Sequence, residues 1–342
     1  MSKKLEKLLA ENSWLLADGS TGTNLFAAGL QSGDSPELWN IEFPARISKL
    51  YRDSIDAGAD IFLTNTFGGN ASRLKLHGAH NKVFEINRVA AELARNVADQ
   101  STKEVVVAGS IGPTGEVFAP IGPLIHEQAV EIFHEQAEGL IAGGVDILWL
   151  ETISASEEFK AAAEAFSLLG FSWCGTMSFD TAGRTMMGLT SVDMTLMIQS
   201  LPNKPIAFGA NCGVGASDLL RTVLGFSSQD ISIPIIAKGN AGIPKYVNGH
   251  IHYDGTPELM AKYASLARAA GAKIIGGCCG TTPLHLAVMR SELESQASGP
   301  RPSLQKIVDT LGEFSSASDG LEMTGGQNRQ RNRKRVRRRA GV

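Results

Sequence analysis

The chain has 342 residues, 43% hydrophobic and 20% charged, enough for one large domain or two ordinary ones. No apolar run reaches the roughly 18 residues that span a bilayer, and the basic N-terminal segment lacks an apolar signal core, so a cytoplasmic protein is expected. The net charge of −3 conceals eight Lys/Arg within 327–342; without them 24 basic residues face 35 acidic ones, so only the tail suits a polyanion such as nucleic acid.

The elements follow one another in a fixed rhythm. After MSKKLEKLLAENS, which reads as a short amphipathic helix, short apolar β-branched runs recur eight times, each followed by a loop and a segment of helical period. The runs are 14–18, 59–64, 105–110, 145–150, 171–178, 205–210, 233–238 and 273–277. Helices are expected at about 45–57, 81–98, 127–142, 155–168, 191–200, 216–226, 256–270 and 283–296. Thr256-Pro257-Glu258 has a cap residue followed by proline and acid, a helix start. Gly58, Gly170 and Gly271 each close a helix ahead of the next strand. Continuous apolar strands alternating with helices imply a parallel sheet covered on its outer face. Eight such units fit a single (β/α)8 TIM barrel over residues 1–297. An open doubly wound sheet is the alternative, but no GxGxxG follows the first strand. From 298 to 342 the chain is rich in Ser, Gly, Pro, Gln and Arg without a sustained apolar period. That part reads as peripheral, and as a disordered basic tail from about 315.

A barrel of this kind carries its active site at the C-terminal ends of its strands. The polar residues after the eight runs therefore share one mouth: Asp18-Gly19, Thr64 to Phe67, Ser110, Glu151-Thr152, Ser178 to Asp180, Asn211-Cys212, Asn240 and Cys278-Cys279. Neighbouring side chains in a strand face opposite ways, but Gly276-Gly277 and Gly280 permit a bend that aims both adjacent sulfurs inward. Three thiolates around one zinc ion would leave a fourth tetrahedral position open, as catalytic sites do. The competing reading is that cysteines simply pack in a core. It suits Cys174, which lies inside the fifth run, better than a glycine-rich loop with two thiols.

The segments LADGSTGTNL, LTNTFGGNASRL, GSIGPTG, WLETIS, GANCGVG, KGNAGIP and GGCCGTTPLHL, in this order, resemble the homocysteine S-methyltransferase family over about 13–297. The resemblance implies a (β/α)8 barrel with one zinc held by Cys212, Cys278 and Cys279, and transfer of a methyl group to homocysteine, giving methionine. It also implies that Asp18 and Glu151 hold the homocysteine ammonium, with Gly19 and Thr64 near its carboxylate. Asn211 is read as orienting the zinc loop. A small onium donor is expected, glycine betaine first, held by aromatic faces for which Trp39 and Phe67 are the candidates. S-methylmethionine or a separate methyl-corrinoid protein is the alternative donor, and a zinc-holding barrel without turnover the alternative function. Gly68 and Thr152 stand where the animal betaine enzymes carry tyrosines. The tail does not resemble the C-terminal arm that assembles those enzymes, which leaves a homo-oligomer open.

Overall fold

The computed structural model describes residues 3–247 and 250–321, so the Arg-rich stretch expected to be disordered lies outside the described residues. Eight parallel strands form the sheet: β1 (Leu15–Leu16), β2 (Ile61–Leu63), β3 (Val106–Ile111), β4 (Ile147–Ile153), β5 (Trp173–Met177), β6 (Ala207–Cys212), β7 (Ile235–Gly239) and β8 (Ala272–Gly277). Each pairs with its sequence neighbour from β2 to β8, β8 pairs with β1, and a parallel bridge between Ala17 and Ile61 closes the ring. The architecture is the (β/α)8 barrel. Among the described residues no helix is long and apolar enough to cross a membrane.

The period of two along each strand decides what the barrel contains. Leu15, Ile61, Leu63, Val106, Ala108, Ile147, Trp149, Cys174, Ala207, Ile236 and Ile274 form one interior cluster. Their neighbours Leu16, Phe62, Val107, Leu148, Trp173, Phe208, Ala237 and Ile275 belong to a second cluster, beneath the surrounding helices. Cys174 is thus a core residue, fully buried inside the barrel.

The N-terminal segment does form a helix, α1 (Lys4–Glu11), and its use is to plug the barrel's lower end. Leu5 and Leu9, one turn apart, join the interior cluster, and Lys4 Nζ pairs with Asp146 Oδ2 at 3.0 Å. Eight longer helices cover the outside, from Pro44–Asp56 to Pro283–Ser295, within two residues of the expected bounds.

The structure adds short pieces that periodicity cannot register. Gly22–Ala27, Trp39–Glu42 and Ala71–Leu74 are helical turns, and Lys245–Val247 pairs with His250–His252 as an antiparallel hairpin. Beyond 298 there is also more order than its composition announces. Leu304–Leu311 is a helix capped by Ser303, with Ile307 fully buried. The chain then stays on the barrel's flank, where Arg221 Nη1 donates to Ser316 O at 2.8 Å and Ser315 N to Asp218 Oδ2 at 3.0 Å. Two turns are too few to show a period in a polar stretch.

The plug is open to test. Leu9→Ala removes a buried side chain beneath a rigid ring, so a loss of about 2–4 kcal/mol in denaturant unfolding is expected. An unchanged midpoint would mean that the helix does not fill the barrel floor.

Candidate active site

Above the apolar layers, the same inward parity continues into polar residues. Ser110, Glu151, Thr176, Asn211 and Lys238 are all buried, and each lies an even number of residues after an apolar interior position on its strand. They form the floor of the mouth. Lys238 lies opposite Asn211 in the register of β6 and β7, and opposite Gly276 across to β8.

Three sulfurs stand on that floor. The Sγ atoms of Cys212, Cys278 and Cys279 all lie within 4.8 Å of one another, and all four cysteines of the chain are free. Parity alone would turn Cys212 outward, since Asn211 takes the inward position. Its φ of 61° reverses this, a left-handed backbone that a β-carbon makes costly by about 1–2 kcal/mol. The result is a Cys212–Cys279 sulfur separation of 3.8 Å. Two ligands of a tetrahedral zinc with ~2.3 Å bonds stand about 3.8 Å apart, so the arrangement fits the ion. Among the described residues no histidine, carboxylate or fourth cysteine joins the group.

The motifs around the cysteines serve to hold this geometry. Gly277 faces Thr281, whose Oγ1 would be 2.3 Å from an added β-carbon, and Gly280 turns with φ 78° against Tyr253. Asn240, after β7, accepts from Cys279 N at 3.0 Å and donates to Gly213 O at 2.9 Å, tying the two cysteine loops together. Asn24 Nδ2 and Ser20 N both reach Thr281 O, so the first loop clasps the last. Asn211 Oδ1 accepts from Thr152 N and from Thr176 Oγ1, while its amide points at Cys278 Sγ at 3.7 Å. The expected orienting role of Asn211 has this network behind it.

Beside the sulfurs lies a buried charge cluster. Asp18 Oδ1 accepts from Lys238 Nζ at 2.7 Å and Oδ2 from Leu63 N at 2.8 Å. Burial pushes the Asp18 carboxyl up, and the Lys238 charge opposes it. Glu151 Oε1 accepts from Ser110 Oγ at 2.5 Å, and its other oxygen takes no hydrogen bond from the described residues. Burial raises Glu151 to about 7, against the pull of Lys238. Burial would lower the Lys238 ammonium, but the charges of Asp18 and Glu151 outweigh it and hold the proton on. Among the sulfurs, hydrogen bonds from Cys212 and Cys278 hold the Cys279 thiol down.

The remaining expected residues are placed unequally. Gly19 packs against Thr281, where a β-carbon would sit 2.7 Å from its Oγ1. Thr64 Oγ1 accepts from Ser110 N at 3.0 Å and lies 2.6 Å from Thr66 Oγ1, which itself donates to Ser110 O. Each hydroxyl has one proton, so Thr64 must donate to Thr66. Phe67 is 37% exposed, with its ring against Gly112. Trp39 is only 5% exposed, and the Arg46 guanidinium already lies 4.9 Å over its ring. It lines a separate cleft of about 420 Å³ with Leu38, Phe43 and His77, away from the cysteines. Its cation seat is filled by its own chain. A side chain at Gly68 would meet Glu37 Oε1 at 2.9 Å, the same oxygen that accepts from Gly68 N. Thr152, with φ 62° at a bulge in β4, accepts from Asn211 Nδ2 through its hydroxyl.

Two site residues escaped the sequence. Lys238 was legible through its parity with Ile236, which looking only beyond each run's end conceals. Tyr253 stands against Gly280, beside Cys279, from an irregular loop that carries no sequence signal.

The homocysteine S-methyltransferase family model matches residues 15–293. The chain belongs to this family. Crystal structures of the Escherichia coli homocysteine methyltransferase MmuM share the fold. The metallated form has a TM-score of 0.70 at 24% identity, and the oxidised form 0.68 at 25%. Each alignment covers 84% of this chain and 99% of the other. Methyl transfer to homocysteine is thus the reaction class of this family member.

Two outcomes follow from the geometry. Cys212→Ser or Cys278→Ser should drop bound zinc from about one ion per chain to near none, measured by metal analysis of the folded variant. Glu151 has a raised folded-state pKa, so its contribution to stability is full below about 4.5 and lost as pH rises through about 7. Glu151→Gln should therefore stabilise the metal-free protein at pH 8 by roughly 3 kcal/mol and change little at pH 5. Equal melting shifts at both pH values would refute the assignment of a strained buried charge.

Proposed function

We propose that the protein transfers a methyl group from a small onium donor to the sulfur of homocysteine, with zinc held by Cys212, Cys278 and Cys279. The observation that carries this is three sulfurs within 4.8 Å of one another, one pair at 3.8 Å, beside a buried charge cluster. A free thiol is mostly protonated near neutral pH, and only the thiolate is a useful nucleophile. Bound there, the metal would supply the charge that keeps a substrate sulfur deprotonated.

The chain's own residues do the rest. Asp18 and Glu151 present negative charge for the substrate ammonium, and Glu151 keeps an oxygen free to accept its proton. Gly19 and Thr64 line the same corner. Asn211 and Asn240 fix the cysteine loops so that the substrate sulfur meets a set geometry. Phe67 offers an accessible aromatic face at the mouth for the donor's positive end. Transfer from an onium donor to a thiolate cancels charge, which a water-poor site favours. Free thiols that must stay reduced suit a cytoplasmic setting.

Glycine betaine remains the first donor to assay. A second reading, S-methylmethionine, gains support from Gly68 and Thr152, which stand where the animal betaine enzymes carry tyrosines, and from Trp39, whose ring already has the Arg46 guanidinium over it. The test is methionine formation from homocysteine by zinc-loaded protein, with betaine, S-methylmethionine and a methyl-corrinoid protein supplied separately. Methionine from one of the onium donors, abolished by chelation, is the expected result. Turnover with the corrinoid protein alone would replace the donor assignment, and none with any donor would leave a zinc-holding barrel without catalysis. Phe67→Ala should raise the donor KM about tenfold and leave the homocysteine KM within twofold. The reverse pattern would move the donor's seat elsewhere.

A further inference from the structure

The family match ends at residue 293, and the chain beyond it is fastened to the barrel in two places. After the helix Leu304–Leu311, residues 312–320 cross two elements at once. One is the first turn of the helix Ala216–Ser227. There Ser217 Oγ donates to Gly312 O at 2.8 Å, and Ser315 N and Oγ both donate to Asp218 at 3.0 Å. Arg221 pairs with Asp218 at 2.8 Å, donates to Ser316 O and stacks 4.5 Å from the centre of the Phe314 ring. Asp218 and Arg221 are only 6% and 7% exposed, so this ion pair has been desolvated to hold a strap of polar backbone.

The other element is the loop after β5. Thr181 and Arg184 exchange both backbone hydrogen bonds at 2.9 Å around Ala182 and Gly183, whose φ values of 49° and 78° make a tight mirror-image turn. The strap closes on the tip of that turn. A β-carbon on Gly183 would lie 2.3 Å from Asp319 C and O, and one on Gly320 would lie 2.5 Å from Gly183 O. The same loop reaches the cysteines. A β-carbon on Gly213, next to Cys212, would sit 3.1 Å from Phe179 O, and the Phe179 ring meets Phe226 of the helix edge-on at 5.7 Å. Cys212 is thus flanked by the β5 loop and by the helix that begins at Ala216, and the strap holds both. The left-handed backbone of Cys212, with φ 61°, persists only where its surroundings over-determine it.

We infer that residues 312–320 are a latch that positions Cys212. By pinning the turn at Gly183 and the first turn of the helix Ala216–Ser227 to one strap, they keep the Cys212 loop in the strained backbone that brings its sulfur to Cys278 and Cys279. This rests on the reading of the three cysteines as a metal site. The strap acts through the loops it holds, so Asp218, Arg221 and Gly320 are positioning residues.

The test compares the unmutated protein with a chain ending at Leu311, a chain ending at Leu321, and Gly320→Leu, which puts a side chain where the strap meets Gly183 O. Zinc release to excess chelator and backbone amide exchange are followed for each. Loss of the latch should speed zinc release by about 10- to 100-fold, the scale on which residues that support metal ligands from outside act. Exchange should rise in 178–190 and 213–219 and stay unchanged in β2 and β3 across the barrel. The chain ending at Leu321 keeps the latch and should match the unmutated protein within about twofold. Gly320→Leu should show the same pattern in milder form, and serves if the shorter chain does not fold. Zinc release within about twofold in both latch variants would overturn the inference, as would release equally fast from the chain ending at Leu321. Exchange that rises evenly around the barrel would overturn it too, since that marks a segment that only stabilises the fold. Failure of the unmutated protein to hold zinc would instead remove the metal reading, and exchange in 213–219 would then decide the latch alone.

Discussion

The site depends on closure of the sheet. Cys212 ends β6 and Cys278-Cys279 follow β8, so β7 separates them, and no local motif could bring their sulfurs within 4.8 Å. Curvature of the ring does so. Staggered, tilted strands converge their C-terminal ends on one mouth, and Asn240 at the end of the intervening strand ties both cysteine loops by its amide. The left-handed turn at Cys212 and the glycines around Cys278-Cys279 then correct the parity that strands impose. Backbone strain here is concentrated where the chemistry is, and the apolar interior beneath makes it tolerable.

Lys238 and Asp18 have side chains only 3% and 6% exposed, a setting in which desolvation offsets most of the attraction between them. Such a pair is poor evidence for stability. Replacing it by apolar groups of similar volume would extend the Trp149 layer and cost the fold little. Two carboxylates and one ammonium leave a net negative corner, and burial of that corner raises Glu151 to about 7.

Much of this could be read from residues alone. Eight apolar runs with intervening helical periods favoured the barrel over an open doubly wound sheet, because strand, glycine closure and helix repeat and no GxGxxG follows the first run. The cysteines were legible because a glycine-rich loop with two adjacent thiols has no packing purpose. Lys238 was hidden by an assumption about where strands end: it lies inside β7, and its parity with Ile236 carries the signal. Glu151 likewise belongs to β4, past a bulge that begins beyond Leu150. Trp39 went the other way. Its position in the loop after β1 fitted a cation clamp, but tertiary packing supplied Arg46 as the cation. Neither the hairpin after β7, whose strands are only three residues each, nor Tyr253, which packs against a glycine after β8, has a sequence signature.

These placements bear together on the donor. An aromatic cage works by surrounding a cation with several ring faces, and the structure leaves Phe67 as the accessible ring near Gly68 and Gly112. The loop that would have to supply more is held shut by Glu37, which accepts from Ser35 Oγ at 2.7 Å and from Gly68 N at the same distance. Glu37 is 6% exposed, so its carboxylate braces the loop from within. With fewer ring faces, recognition of a methyl donor has to rest more on the donor's other groups. A donor that is itself an amino acid offers an ammonium and a carboxylate for polar partners, whereas betaine offers a carboxylate alone.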